Sequence, residues 1–339
     1  MKARRFTMLV LALTLTAASC GGDDDATDDT TDEGTTDTST SGAPGDASGS
    51  IAISGSSTVE PISALVAQRY SDANPGVAIT VDGPGTGDGF QLFCSGETDI
   101  SDASRAIDDE EAALCADSGI EYVELQVGID GLSVLTNTAN SAVTCLNFGD
   151  LYALSGPESI GFDNWSDANE LAAEVGGSGG LPDAPLSITA PGEESGTYDT
   201  YVELVLEDIA RERGQDPVAR PDYTASPNDN VIVEGIQGSD TAFGWVGYAF
   251  YTANQDVLKA IEIDGGDGCV APTPETIVDG SYPLSRPLFI YVNSARMAEN
   301  QQLAGFVEYY FSEEGITAVA DAGYVSLTSY DDQRAAIGG

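Results

Sequence analysis

Three short stretches of the chain are rich in glycine and hydroxyl residues, and this composition is suited to holding an anion. They are Ser54-Gly55-Ser56-Ser57-Thr58, Gly83-Pro84-Gly85-Thr86-Gly87-Asp88-Gly89 and Glu193-Glu194-Ser195-Gly196-Thr197-Tyr198. Each precedes a segment with helical periodicity, and the free backbone N–H groups of a helix N-terminus attract negatively charged oxygens. One such turn is typical of an ordinary helix N-cap. Three in one chain predict a single oxyanion that is held from several sides.

The composition argues against chemistry on that anion. The chain contains no histidine, and a serine nucleophile needs a base beside it. Lys259 is the one lysine after residue 20, and it is not near a Gly-x-Ser-x-Gly turn. A phosphatase would need clustered metal ligands, and the sequence has no such pattern. We therefore expect a binding protein that is not an enzyme and that uses no cofactor or metal.

The charge balance argues against two classes of partner. The whole chain has 12 basic and 56 acidic residues, and the first 20 residues hold three of the basic ones and none of the acidic ones. Without those 20 residues the formal charge is −47. Such an excess argues against nucleic acid or an anionic membrane surface as a partner. An anionic ligand must therefore be bound by local dipoles and a few arginines, and salt should screen the opposing field.

The N-terminus predicts export. Lys2, Arg4 and Arg5 precede an apolar run, and the segment ends in Ala17-Ala18-Ser19-Cys20-Gly21. This pattern indicates a signal peptide over residues 1–20. The last residues resemble the lipobox of bacterial lipoproteins, in which Cys20 would be freed and acylated, although Ala17 stands where leucine is usual. The resemblance implies a lipid anchor, and the alternative is a secretory signal with a stray cysteine.

Residues 21–50 form a predicted acidic linker. They are almost entirely Asp, Thr, Ser and Gly, with no large apolar side chain. Such a segment cannot bury enough surface to offset its chain entropy. We therefore expect a disordered linker over 21–50 and a folded region from Ile51 onward.

Four cysteines remain when Cys20 is set aside, and an even number in an exported chain predicts disulfides. They allow three pairings. We favour Cys94 with Cys115, because these two flank one short helix-and-strand unit, which leaves Cys145 and Cys269 to pair. A zinc site is the alternative, but no CxxC motif or histidine supports it.

The turns must be positioned by alternating strands and helices. Such alternation predicts an α/β fold with a parallel or mixed sheet covered on both faces. Ligands of such sheets bind beyond the carboxyl ends of the strands, so two sheets facing one another would bring the three turns together. The predicted strands are 51–53, 77–81, 99–101, 122–127, 132–136, 186–189, 242–246, 260–263 and 287–292. The predicted helices are 59–70, 86–93, 108–115, 195–209, 230–236, 298–311 and 313–321.

The order of several motifs resembles the phosphate-binding proteins of bacterial phosphate ABC transporters. The motifs are Gly55-Ser56-Ser57-Thr58-Val59-Glu60-Pro61, Gly85-Thr86-Gly87-Asp88-Gly89-Phe90, residues 96–105, Asp130-Gly131-Leu132, Ser195-Gly196-Thr197-Tyr198 and residues 244–249. The resemblance implies the two-lobed periplasmic binding-protein fold (type II), in which each lobe is a mixed sheet flanked by helices. Residues 51–135 and 286–339 would form the first lobe and residues 136–285 the second. The two hinge crossings would lie near 135–137 and 284–287.

The same resemblance implies a function and a set of ligand contacts. The protein would capture inorganic phosphate in the cleft and deliver it to the permease subunits of an ABC transporter. It would be a monomer, anchored by Cys20 to the outer face of the cell membrane, at the cell surface or in a periplasm. The implied phosphate contacts are Thr58 and Val59 through the main chain, Thr86 through its hydroxyl, Ser104, Arg105, Ser195, Gly196 and Thr197.

Two positions depart from the family pattern. Ser104 stands where the best-known members have an aspartate, which accepts the proton of monohydrogen phosphate and so excludes sulfate. Asp102 or Asp88 is a candidate replacement. The arginine that those members carry shortly before the Ser-Gly-Thr turn is also absent, because Pro191-Gly192-Glu193-Glu194 occupies that place.

These departures leave Arg105 as the one arginine that the sequence places in the cleft. Its alternative role is an ion pair with Asp102, Asp108 or Asp109. They also keep two other functions open. One is a receptor for another tetrahedral oxyanion, such as sulfate, tungstate or molybdate, and the other is a surface lipoprotein without a transport role.

Overall fold

The computed structural model of the protein describes residues 49–338. The predicted signal peptide, Cys20 and almost all of the predicted linker lie outside the described residues. The first strand begins at Gly49, two residues earlier than the sequence predicts. Among residues 49–338, no helix has the length and apolar character needed to cross a membrane.

The strands are numbered in chain order. They are β1 Gly49–Gly55, β2 Val77–Asp82, β3 Ile100–Ala103, β4 Tyr122–Asn137, β5 Cys145–Asn147, β6 Thr189–Ala190, β7 Thr224–Ala225, β8 Phe243–Gly247, β9 Leu258–Ala260, β10 Glu262–Asp264, β11 Cys269–Val270 and β12 Ser285–Asn293. The strands predicted at 122–127 and 132–136 are one continuous strand, β4. The strand predicted at 186–189 is only the short β6.

The helices are numbered in the same way. They are α1 Glu60–Ala73, α2 Thr86–Cys94, α3 Asp109–Asp117, α4 Phe148–Ser155, α5 Asn169–Glu174, α6 Gly196–Tyr201, α7 Glu207–Arg213, α8 Asp229–Gln237, α9 Tyr248–Thr252, α10 Pro274–Val278, α11 Ser294–Glu299, α12 Gln301–Tyr310, α13 Thr317–Asp321 and α14 Asp331–Ala336. The single helix predicted over 195–209 is divided, because a π-helical turn, Val202–Leu206, separates α6 from α7.

One mixed sheet runs through both lobes. Its strand order is β2-β1-β3-β12-β4-β8, with β9 also paired to β4. Strand β1 is parallel to β2 and β3, whereas β12 is antiparallel to β3 and β4. The parallel strands all end at the edge where the predicted anion turns begin, as the alternation of strands and helices leads one to expect.

Strand β4 joins the lobes by changing its partner. Its first part pairs with β12 as far as Gly131 opposite Ser285, and from Leu132 onward it pairs with β8. The exchange of partners therefore lies just before the crossing predicted near 135–137. Strand β12 starts at the same level, so the two connections between the lobes run side by side.

Each lobe has its own apolar core. The core of the first lobe includes Ile53, Val66, Ile290 and Phe306. The core of the second lobe is built around Trp245, whose indole stacks on Tyr201 with the ring centroids 3.9 Å apart. Burial of aromatic side chains of this size contributes strongly to the stability of each lobe.

Two disulfides follow the favoured pairing. Cys94 at the end of α2 is bonded to Cys115 in α3, and Cys145 in β5 is bonded to Cys269 in β11. The prediction is confirmed. The first bond lies in the first lobe, and the second ties together two strands of the second lobe.

Candidate functional site

A cleft of about 770 Å³ lies between the lobes, and three of the eight predicted phosphate contacts, Thr86, Ser104 and Arg105, line it. The first lobe contributes the turn before α2 and the loop after β3. The second lobe contributes one face of the helical segment after the Ser-Gly-Thr turn. The lining residues are Pro84, Gly85, Thr86, Gly87, Asp88, Ser104, Arg105, Glu203, Leu204, Glu207, Arg211 and Arg286.

Thr86 and Ser104 form the hydroxyl pair of the cleft. Thr86 is the first residue of α2, and Gly85 before it has φ +115°, a left-handed conformation that favours glycine. The two side-chain oxygens are 3.0 Å apart, and the Ser104 amide donates to Thr86 Oγ1 at 3.2 Å. Two hydroxyls at this helix start are suited to hydrogen bonding with an anion.

Arg105 lines the cleft but is already paired. Its guanidinium donates two hydrogen bonds of 2.7 Å to the carboxylate of Glu111, and Asp108 lies 3.9 Å away. The alternative role predicted for Arg105 was an ion pair with Asp102, Asp108 or Asp109. Arg105 does form ion pairs, but its main partner is Glu111. Asp108 caps α3 by accepting from the amides of Glu110 and Glu111, which is why Glu111 lies beside Arg105.

Arg286 is the site residue that sequence reasoning missed. It is the second residue of β12, opposite Asp130 in β4, and its side chain is only 9% exposed. Nη2 donates to Thr58 Oγ1 and to Thr200 Oγ1, each at 2.9 Å, and Nη1 pairs with Glu203. Arg211 lines the cleft as well, so the prediction that Arg105 was the one arginine there was wrong. The signal for Arg286 was its position in the predicted crossing at 284–287.

Thr58 and the turn at 195–197 meet beside this cluster rather than in the open cleft. Gly196 is so close to the first lobe that a Cβ there would lie 3.4 Å from the carbonyl oxygen of Ser57. The Ser57 hydroxyl donates to Asp199 at 2.8 Å, and the hydroxyls of Thr58 and Thr200 are 3.4 Å apart. The structure thus brings Thr86, Ser104 and Arg105 together in the cleft. It places Thr58 and Gly196 at the neighbouring contact between the lobes. Val59 is buried in the apolar core of the first lobe, Ser195 caps α6, and Thr197 lines a separate cavity beside Asp130.

Local hydrogen bonds occupy the backbone donors of these turns. The Thr58 amide donates to Ser56 Oγ at 3.2 Å, and the Val59 amide donates to the Ser56 carbonyl at 3.1 Å. In the second lobe, Ser195 Oγ accepts from the Thr197 amide at 3.2 Å. An anion that used these amides would have to replace bonds that the turns already make.

The two candidate replacements for the missing aspartate differ in position. Asp88 lines the cleft. Asp102 is fully buried in the first lobe, where its Oδ1 accepts from Ser63 at 2.9 Å and its carbonyl accepts from the Ser56 amide. Burial raises the pKa of Asp102 to about 7. Its side chain is turned into the core and does not line the cleft, so its proposed role as acceptor of a phosphate proton was wrong.

Carboxylates neutralise the cations of the site. Each of the eight arginines among residues 49–338 forms an ion pair with Asp or Glu, including the three that line the cleft. Asp130 Oδ2 lies 3.6 Å from Arg286 Nε and accepts from the Thr200 hydroxyl at 2.9 Å. Burial raises the pKa of Asp130, and the Arg286 guanidinium opposes that shift. Any anionic ligand must compete with these carboxylates.

The fold and the site together define a class of protein. Two lobes share a sheet through two adjacent connections and enclose a cleft with hydroxyls and guanidinium groups on its walls. This arrangement is that of a solute-binding protein whose cleft is suited to a small oxyanion.

Comparison with known proteins identifies the family. A family model for the PBP superfamily domain matches residues 35–314. The SphX protein of Synechocystis is 38% identical over 84% of this chain and 80% of its own length, and the phosphate-binding protein PstS of Staphylococcus haemolyticus is 35% identical over 94% and 90%. A solved structure of a possible phosphate binding protein from Planctomyces limnophilus is 37% identical, with a TM-score of 0.76 and coverage of 86% of this chain and 98% of that one. The chain belongs to the PBP superfamily, in the family of the PstS and SphX proteins, which confirms the resemblance and the fold class.

Proposed function

We propose that this protein captures inorganic phosphate in the interlobe cleft and delivers it to the permease of an ABC transporter. The observation that carries the proposal is the group formed by Thr86, Ser104 and Arg105, which lines a cleft between two lobes. The similarity to PstS proteins along most of the chain supports phosphate as the ligand. Hinge closure would bury the anion among donors that are already in place.

The proposed contacts fall into two groups. Thr86, Ser104 and Arg105 hold the phosphate from the first lobe. Thr58 and Gly196 act at the contact between the lobes, and with Val59, Ser195 and Thr197 they complete the site when the lobes close on the ligand. Neutral donors and a guanidinium suit a phosphate dianion, because each charge-assisted hydrogen bond is stronger than a neutral one.

A further part of the proposal concerns the state of the protein in the cell. We propose a monomer without enzymatic activity, exported and held at the outer face of the membrane by a lipid on Cys20. The basis for the anchor is the sequence Ala17-Ala18-Ser19-Cys20 after an apolar run. Metabolic labelling with a tagged fatty acid would test it, since Cys20→Ala should abolish incorporation and release the protein.

A second candidate is a receptor for tetrahedral oxyanions in general. It is favoured by Ser104, because a hydroxyl can donate to fully ionised sulfate, whereas an aspartate in that place would repel it. Asp88 is the carboxylate of the first-lobe wall that stays available as a proton acceptor. Titration of the wild type and of Asp88→Asn with phosphate and with sulfate separates the two candidates. If the wild type binds only phosphate and Asp88→Asn binds both anions, Asp88 is the acceptor of the phosphate proton.

The decisive experiment is calorimetric titration of the mature protein, freed of bound anion by refolding, with phosphate and then with sulfate. Saturable 1:1 binding of phosphate that sulfate does not displace supports the proposal. We expect Arg105→Ala to weaken binding by roughly 1.5 kcal/mol. Arg334→Ala is the matched control, because Arg334 belongs to α14 and does not line the cleft. Binding of both anions would favour the general receptor, and binding of neither would overturn the proposed function.

A further inference from the structure

Arg286 is held by groups from both lobes and from the connections between them. Thr58 belongs to the first lobe, Thr200 and Glu203 belong to the second, and Asp130 lies on the connecting strand β4. Within the described part of the chain, the Arg286 Nε is buried without a hydrogen-bond partner. The hydrogen bonds of Nη2 and the ion pair with Asp130 thus hold the guanidinium in place. Nη1 instead contacts a side chain at the edge of the cleft.

Glu203 is that group, and it is the exposed member of the cluster. Its side chain is 41% exposed, whereas the side chains of Arg286 and Asp130 are 9% and 8% exposed. Asp130 already balances the charge of the buried guanidinium, so Glu203 adds a second negative charge beside it. A carboxylate in this place offers Arg286 the same interaction that an oxyanion would offer.

The backbone also favours a role for Glu203. It lies on the π-helical turn Val202–Leu206, a rare geometry that is frequent at functional sites. Glu207 and Arg211 line the same wall at intervals of four residues and pair with each other. Of the two glutamates on this wall, only Glu203 contacts the arginine that links the lobes.

We propose that Glu203 is an internal competitor of the ligand, and that Arg286 is an anion-binding residue of the cleft. The Glu203 carboxylate holds Nη1 of Arg286, and the oxyanion binds by taking that place while Glu203 turns toward solvent. The chain lacks the arginine that the best-known members carry before the Ser-Gly-Thr turn, and Arg286 supplies a guanidinium from β12 instead. This inference rests on the proposed function and assigns the residue pair that sets its affinity.

The test is titration of phosphate and of sulfate into the mature wild-type protein and three variants. Glu203→Gln keeps the size and removes the charge, Glu203→Asp keeps the charge, and Glu207→Gln removes a charge from the same wall without touching Arg286. We expect Glu203→Gln to bind phosphate about tenfold tighter, which corresponds to ~1.4 kcal/mol. Glu203→Asp should gain less affinity than Glu203→Gln because it keeps the competing charge. Glu207→Gln should stay within about twofold of the wild type, because Glu207 pairs with the exposed Arg211 and a surface ion pair contributes little.

A double variant tests the partner. If Glu203 competes for Arg286, the gain from Glu203→Gln should disappear when Arg286→Lys is also present, since a coupled pair does not give additive effects. Thermal unfolding of each variant shows whether it is folded. The Glu203 variants change a side chain at the protein surface and should unfold close to the wild-type temperature.

The outcomes separate this inference from the proposed function. If Glu203→Gln binds phosphate more tightly than the wild type does, the result supports Glu203 as a competitor of the ligand. The same holds if the wild type binds phosphate too weakly to detect. If the wild type binds phosphate and Glu203→Gln binds it equally or more weakly, the competitor is overturned and the proposed function stands. If Glu203→Gln loses phosphate and gains sulfate, Glu203 accepts the ligand proton instead, which also overturns it. If no variant binds either anion, both proposals are wrong.

Discussion

The turn that begins α2 in the first lobe and the turn that begins α6 in the second have similar sequences and different surroundings. Thr86 lines the cleft, where its hydroxyl meets that of Ser104. Gly196 packs against the backbone of Ser57, and Ser195 caps its own helix. A turn of hydroxyl and glycine residues therefore indicates where a helix begins. The opposing lobe decides whether that helix start faces a ligand or other protein atoms.

The walls of the cleft differ in the same way. The first-lobe wall consists of turns at the ends of strands and carries hydroxyls. The second-lobe wall is one face of the helical segment that contains Glu203, Glu207 and Arg211. The hydroxyl donors are thus concentrated on the first lobe, while the second lobe contributes Glu203, which pairs with Arg286, and Glu207, which pairs with Arg211.

The disulfides give the largest expected difference between the lobes. The Cys145–Cys269 bond closes a sequence separation of 124 residues, and the Cys94–Cys115 bond closes one of 21. Because a longer loop loses more chain entropy when it is closed, we expect Cys145→Ser with Cys269→Ser to lower the free energy of unfolding by roughly 5 kcal/mol. The matching substitution in the first lobe, Cys94→Ser with Cys115→Ser, should lower the free energy of unfolding by roughly 3 kcal/mol.

Urea unfolding of the two double variants measures this difference. The first-lobe variant should also bind phosphate less well, because Cys94 ends the helix that Thr86 begins. An equal loss of stability in both variants would contradict the argument from loop length.

Asp102, which lies beneath the first-lobe turn at 55–58, gives the next largest expected effect on stability. Its pKa of about 7 in the folded protein lies above the ordinary value for aspartate. The folded state therefore holds the proton more tightly, and the associated stability is complete at acidic pH and is lost as the pH rises through about 7. Between pH 5 and pH 8, we expect the free energy of unfolding of the wild type to fall by roughly 2 kcal/mol relative to that of Asp102→Asn.

Urea unfolding of both proteins at the two pH values measures this change. Ser63→Ala is the informative companion, since the Ser63 hydrogen bond lowers the pKa of Asp102 and its loss should move the change to higher pH. A constant difference between wild type and Asp102→Asn at all pH values would show that Asp102 does not titrate in this range.

The two turns give the smallest expected effects, and they should differ in kind. Thr86→Ala removes a hydroxyl from the cleft and should weaken phosphate binding by about 1 kcal/mol, with little effect on unfolding. Ser195→Ala removes an N-cap and should lower the free energy of unfolding by about 1 kcal/mol, with a smaller loss of affinity. Calorimetry and thermal unfolding of both variants check the pair, and identical effects on binding would remove the distinction between the turns.

The sequence was most informative where the physical cause is local. Strand β1, helix α1 and helix α2 form close to their predicted bounds because hydrophobic periodicity and turn residues act over a few positions. The prediction was weakest in the second lobe. There, Val202–Leu206 adopts a π-helical turn inside an apparently regular amphipathic helix, and periodicity alone does not distinguish these geometries.

The site divides along the same line. Thr86, Ser104 and Arg105 come together because they follow strands that end at one edge of a sheet, which is a consequence of the alternating pattern. Arg286 was missed because its importance depends on contacts with Thr58 and Thr200, which lie 228 and 86 positions away in the chain. Its position in the predicted crossing at 284–287 was the one sequence signal, and that signal does not specify these contacts.

By itself, the sequence determined the class of fold, the disulfide pairing and the residue types of an oxyanion site, because these depend on composition, periodicity and spacing. Tertiary structure alone decided which donors face the cleft and which groups from the two lobes surround Arg286. The reason is the large excess of acidic residues: every arginine has several candidate partners along the chain, and only the approach of the two lobes selects Glu203 for Arg286, whereas Arg105 pairs with Glu111 six positions away in its own lobe.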